Sequence, residues 1–119
     1  MANPNIVNVV SIYGKTNALA VTTGGDDIVT NSAASNKIYK VNTLIISNVD
    51  GVNSADITVE VFKGASGFKI ANTVAVPPDA SLVVISKDTS IYLEENDKIR
   101  CTASAASDLQ AVCSWEEID

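Results

Sequence analysis

An alternation of period two, cut into short pieces by clusters of Asn, Asp, Gly, Ser and Pro, most narrows what this chain can fold into. ADITVEVFK (55–63) shows it plainly: Ile57, Val59 and Val61 alternate with Thr58, Glu60 and Phe62. Neighbouring side chains on an extended strand point to opposite faces, so each such piece buries one face and wets the other. The same pattern covers IVNVVSIY (6–13) and NALAVT (17–22), which flank a bend at Gly14-Lys15-Thr16, and a short DIVTN segment at the end of Gly24-Gly25-Asp26-Asp27. KIYKVNTLIISN (37–48) reads as one long strand or as two joined by a bend, and the turn-rich VDGVNSA, with Gly51, follows it. FKIANTVAV (68–76) stops at Pro77-Pro78-Asp79, because two prolines remove two ladder donors. SLVVIS from 81, SIYL (90–93), DKIRCTA (97–103) and LQAVCSWEEI (109–118) complete the series. Helical spacing is nowhere sustained. About eight to ten short strands predict an all-β fold: a single antiparallel sandwich, jelly-roll or Ig-like, with no substantial helix.

With 119 residues, 46% of them hydrophobic and 18% charged, the chain has enough apolar side chains for one core and too few residues for two. The expectation is one domain over 1–119, with residues 1–5 (MANPN) as an N-terminal arm that orders on a neighbour. No basic segment leads into a long apolar one at the start, so no signal peptide is expected. The longest apolar runs, Leu44-Ile45-Ile46 and Leu82-Val83-Val84-Ile85, fall far short of the ~20 residues that cross a bilayer. A formal net charge of −6 and a pI near 4.4, with no basic run, argue against nucleic acid and anionic membrane as partners.

The closing segments can be tested for register. A hairpin centred on Ser107 would set Ala103 against Ala111, Cys101 against Cys113 and Ile99 against Trp115, all on one apolar face. Val112 alone breaks that pattern. Facing cysteines of a cytosolically made chain are expected as a buried pair of free thiols, Cys101 and Cys113, in preference to a disulfide. Ile57, Val59, Val61, Leu93, Ile99 and Trp115 are the expected core.

Little in the chain suggests chemistry. Histidine is absent, which removes the commonest general base and the usual partner of a Ser or Cys nucleophile. Gly24-Gly25 is followed by two aspartates that would repel phosphate. The adjacent acidic pairs Asp26-Asp27, Glu94-Glu95 and Glu116-Glu117 point to opposite faces of a strand, whereas glycosidase carboxylates must face each other across a cleft. Asp50, Asn53 and Asp56 offer hard oxygens for a metal such as calcium, but the EF-hand spacing fails at Val52 and a plain turn is the better reading. No catalytic residue, cofactor or metal is therefore expected. YLEENDKI reads as a tight bend: Asn96 takes a left-handed conformation, Asp97 accepts backbone donors, and Glu94 and Glu95 face solvent.

LIISNVDGVNSADITVEVF (44–62), IANTVAVPPDASLVVI (70–85) and IYLEENDKIRCTASAASDLQAVCSWEEI (91–118) together carry a resemblance. They are similar to a recurrent group of small virion proteins of tailed bacteriophages, marine and cyanobacterial ones especially. Asn96 stands where that group usually has glycine, and Pro78 is an added proline. The resemblance implies a β-sandwich structural subunit of the virion with no catalysis. Its expected role is capsid decoration or cement, in contact with the major capsid protein and with copies of itself, as a homo-oligomer such as a trimer. The rival placements are the neck, collar, tail or baseplate. A carbohydrate-binding host-recognition module is the rival of another class. The expected contact surfaces are residues 1–13 and the loops at 24–27, 50–56 and 64–67.

Overall fold

The computed structural model describes residues 4–119, so residues 1–3 of the expected N-terminal arm lie outside the described part. Two antiparallel sheets pack face to face as a sandwich. The strands are β1 (Ile12–Ala20), β2 (Asp26–Thr30), β3 (Ile38–Asn48), β4 (Ala55–Lys63), β5 (Ser66–Val76), β6 (Ser81–Ile85), β7 (Ile91–Leu93), β8 (Asp97–Ala103) and β9 (Leu109–Ile118). One sheet runs β1-β9-β3-β6, with β7 also paired to β3; the other runs β2-β8-β4-β5. A short 3-10 turn, Lys87–Thr89, is the one helical element among the described residues.

Inward-facing residues of both sheets meet in one apolar cluster. It includes Val41, Leu44 and Ile46 of β3, Ile57 and Val59 of β4, Ile99 and Cys101 of β8, and Ala111 and Cys113 of β9. Each fully buried Ile, Leu or Val contributes roughly 1.5–3 kcal/mol. Leu93 belongs to this cluster, while Val61 and Trp115 are only partly buried and pack against it. Trp115 stacks on the Tyr39 ring of that cluster, with ring centroids 6.3 Å apart.

Two readings of the N-terminal segment do not survive. Residues 6–11 are not strand: the chain turns at Asn5, whose side-chain oxygen accepts Val7 N–H and whose carbonyl accepts Asn8 N–H, and β1 begins only at Ile12. Ile6, Val7 and Val10 are left exposed. β1 then runs straight through Gly14-Lys15-Thr16, because β9 offers it nine consecutive partners without a bulge. A Cβ at Gly14 would meet nothing, so this glycine marks no bend.

The closing hairpin is also absent. β8 pairs with β2 and β4, and β9 pairs with β1 and β3, so the two consecutive strands belong to different sheets. Cys101 and Cys113 both point into the core, but across the sandwich rather than across a ladder. Ser107 has a left-handed φ of 69° in the link that carries the chain from one sheet to the other.

Candidate functional site

The bend at 94–97 is built around Asp97, the first residue of β8. Its carboxylate is almost fully buried and accepts Glu94 N–H at 3.0 Å and Gly64 N–H at 3.2 Å. The same carboxylate meets Lys63 Nζ at 2.5 Å, and Lys63 also reaches Glu94 Oε1 at 2.8 Å. Asn96 has φ 71°, the left-handed region that side chains other than glycine, asparagine and aspartate rarely enter. Its backbone N–H donates to the Asn31 carbonyl at 2.8 Å. Glu95 does not face solvent: its Oε2 accepts Asn36 N–H at 2.6 Å, which ties the bend to the loop after β2. The other oxygen of that carboxylate, Glu95 Oε1, is buried with no hydrogen-bond partner among the described residues.

Asp26, Asp27 and Glu117 are engaged within the fold as well. Asp26 accepts both the N–H and the hydroxyl of Thr22, at 2.7 and 2.8 Å. Asp27 pairs with Arg100 at 3.0 Å and Lys98 at 3.2 Å. Burial pushes its pKa up, but these two cations outweigh that and hold it below the ordinary value. Glu117 is the most enclosed glutamate, with Lys15 at 3.3 Å, Lys37 at 3.4 Å and Trp115 Nε1 at 3.2 Å. Burial again pushes up, and the Trp115 and lysine donors win, leaving its pKa lowered. Burial, reinforced by the Glu117 charge, raises the Tyr39 phenol beside it.

Asn53 Nδ2 donates to Asp50 Oδ2 at 3.3 Å, so these two side chains are tied to each other. Asp50 Oδ1 accepts Val52 N–H at 2.8 Å and Asn53 N–H at 3.2 Å, which makes a self-closed turn around Gly51. Asp56 sits in β4, its backbone joined to Ser104. No group of three or more acidic or Cys residues among the described residues is arranged to hold a metal. Pro77 accepts Ala80 N–H at 3.1 Å, and Asp79, after Pro78, takes φ 57° to turn the chain from β5 into β6. Cys101 and Cys113 are free thiols, and burial pushes both to about 12, so neither has thiolate character at neutral pH.

Two polar residues that the sequence did not single out hold the ends of the sandwich. Asn31 is fully buried; its amide donates to the carbonyls of Lys37 and Leu93, and its side-chain oxygen accepts the Ser35 hydroxyl. Asn48 does the same at the far end of β3, donating to the carbonyls of Asn53 and Val76 and accepting Asp50 N–H. The sequence signal common to both is an Asn placed where alternation stops and a turn cluster starts.

What remains are surfaces. On the outward face of the β2-β8-β4-β5 sheet, the Phe62 ring lies 5.0 Å from both Lys98 Nζ and Arg100 Cζ. Gly67 opposite makes room for that ring, since a Cβ there would stand 2.9 Å from Phe62 Cζ. The outward face of the other sheet carries a row Ala18, Val112, Ile45, Val83 across four strands, bordered by Thr16, Ser114 and Thr43. That stretch is uncharged. No helix among the described residues is long and apolar enough to cross a membrane.

The arrangement therefore defines an antiparallel β-sandwich whose polar groups serve the fold. The sequence matches no protein-family model and no curated protein. Among solved structures, the chain is similar to one from Bacillus endospore appendages, described as disulfide-linked pili. The TM-score is 0.54 at 14% identity, over 99% of this chain and 96% of that one. It is also similar to a chain of the acid-stable capsid of Helicobacter pylori bacteriophage KHP30, with TM-score 0.53 at 10% identity over 94% and 90%. A pentameric capsid protein isolated from metagenomic phage sequences overlaps more loosely, with TM-score 0.43 at 18% identity over 87% of this chain and 62% of that one.

Proposed function

We propose that this chain is a non-enzymatic structural subunit of a bacteriophage virion, seated on the head as a decoration or cement protein. The observation that carries this reading is the motif series over 44–118 laid on a sandwich in which Asp97 is held in a turn and Asp27 and Glu117 in internal ion pairs. The KHP30 capsid chain supports the fold on which such a role rests. Residues 1–119 act as one domain with 1–5 as an arm. The partners are the major capsid protein and copies of the chain itself; nucleic acid, membrane and cofactors are not involved. An acidic sandwich with no free catalytic group is useful through its surfaces, and copies on a symmetric particle meet one another.

Cryo-electron microscopy of the particle tests the placement. Density for this chain on the capsomers is the expected result, and rings of it at the portal or tail with none on capsomers would overturn the head assignment. Binding to purified capsids together with a flat response on a glycan array would separate the structural role from sugar recognition.

A further inference from the structure

A strand at the edge of a sheet presents unpaired N–H and C=O groups, and proteins blunt such edges with bulges, prolines, short strands or inward charges. Most edges here are blunted. β5 slips register twice against β4 and has Thr73 at φ 48°. β2 is bulged between Asp27 and Val29 and has its acidic pair engaged, β6 follows two prolines and slips against β3, and β7 has three residues. β1 has none of these devices apart from Lys15. Its nine residues pair with β9 without a break, no strand among the described residues pairs with its other side, and all but the half-buried Leu19 are exposed.

We propose that the free edge of β1 pairs antiparallel with β1 of a second copy, about a two-fold axis at Thr16. The occupant follows from the strand's own sequence. Centred on Thr16, Ile12 meets Ala20, Tyr13 meets Leu19, Gly14 meets Ala18, and Lys15 lies beside Asn17. Every outward residue then pairs with an outward residue, and any other register that keeps the faces matched overlaps fewer of them. No like charges are opposed: β1 carries one lysine and no acidic residue, in a chain whose net charge of −6 makes copies repel elsewhere. A single two-fold ladder closes the exposed edge of both copies at once. It also makes the uncharged stretch around Thr16, Ala18 and Val112 continuous from one copy to the next. The inference rests on the strand alone and stands whether or not the virion reading does.

The test is sedimentation velocity on the full chain over a concentration series, with Thr16→Lys and Thr16→Asp as variants. Thr16 is exposed and faces itself across the proposed axis, so each variant opposes two like charges in its homodimer. Wild type is expected to form a reversible dimer, and each variant to weaken it roughly fivefold. An equimolar mixture of the two variants is expected to recover wild-type association, because the lysine introduced in one copy then faces the aspartate introduced in the other. A wild type that stays monomeric up to its solubility limit, a dimer indifferent to both substitutions, or weakened variants that do not rescue each other would each overturn the proposal.

Discussion

The two outward faces of the sandwich are built on opposite plans. The face of the β2-β8-β4-β5 sheet is charged, and its charges answer one another: Asp27 takes both Lys98 and Arg100, and the same two cations lie over the Phe62 ring. At the rim of that sheet, Lys63 and two backbone N–H groups are gathered by one buried carboxylate, Asp97. Across its middle, the face of the β1-β9-β3-β6 sheet holds small hydroxyl and aliphatic side chains, with Lys40 and Glu116 set together at one end, and the sheet ends in β1, whose outer edge is free among the described residues. A face whose charges are matched internally stabilises its own sheet and offers a partner little. An uncharged stretch of small residues contributes little to the isolated fold and lets another surface approach closely.

That contrast can be broken experimentally, and the largest effect is expected at the rim. Asp97→Ala should destabilise the protein by about 3 kcal/mol in urea unfolding, because it leaves Gly64 N–H and Glu94 N–H without their acceptor and removes the buried partner of Lys63. A loss under about 1 kcal/mol would show that the bend does not depend on this carboxylate. Next in size is Asn96, where valine should cost about 1–2 kcal/mol while glycine is neutral or slightly stabilising. Equal stability of the two variants would contradict the left-handed backbone.

Acid should separate the sheets by degree. Asp27 and Glu117 both have lowered folded pKa values, so above the ordinary carboxylate range each contributes its full stabilisation. As pH falls below about 4, the unfolded chain takes up the proton first, and the contribution is lost as pH passes through the folded values. Glu117→Gln should flatten the acid limb of the stability curve more than Asp27→Asn, because the Asp27 side chain is 36% exposed and its pairs are screened, against 6% for Glu117. The reverse order would place the dominant electrostatic contribution on the wrong sheet.

The smallest effects belong to the uncharged stretch around Val112 and to the arm. Val112→Lys, at 40% exposure, should change stability by no more than about 0.5 kcal/mol. Deleting residues 2–8 should leave the thermal unfolding of the isolated domain nearly unchanged while weakening incorporation into particles, and loss of the fold itself would count against the arm as an assembly element. The exposed Ile6 and Val7 make no core contact that the deletion would remove.

Strand positions were legible because alternation is a local property. KIYKVNTLIISN proved to be one strand with a register slip between Val41 and Thr43, and ADITVEVFK begins and ends where its pattern does. Pairing partners were not legible in the same way. The inward set Ile99, Cys101, Ala103, Ala111, Cys113 satisfies a hairpin and a cross-sandwich contact equally well, since both need only that the same alternate residues be apolar. IVNVVSIY has strand composition, yet β9 ends at Ile118 opposite Ile12 and Asp119 reaches only Ser11 and Val10, so residues 6–9 have no partner strand among the described residues. Glu95 read as solvated because its acceptor role depends on Asn36, 59 residues away. Local chemistry fixes turns such as the one at Asn96; long-range acceptance by a side chain has no local trace.

The placement of β9 also sets the order in which the molecule can come into being. β9 lies between β1 and β3, and it follows every other strand in the chain. As this stretch leaves the ribosome, β2, β4, β5 and β8 can already form their sheet, while β1 waits unpaired, separated from its only partner by almost the whole chain. Long-range pairing of this kind is slow and exposes strand edges until it closes. A chain cut short before residue 109 therefore lacks the middle of one sheet altogether, and it should be recognised and degraded as unfolded rather than persist as a smaller sandwich.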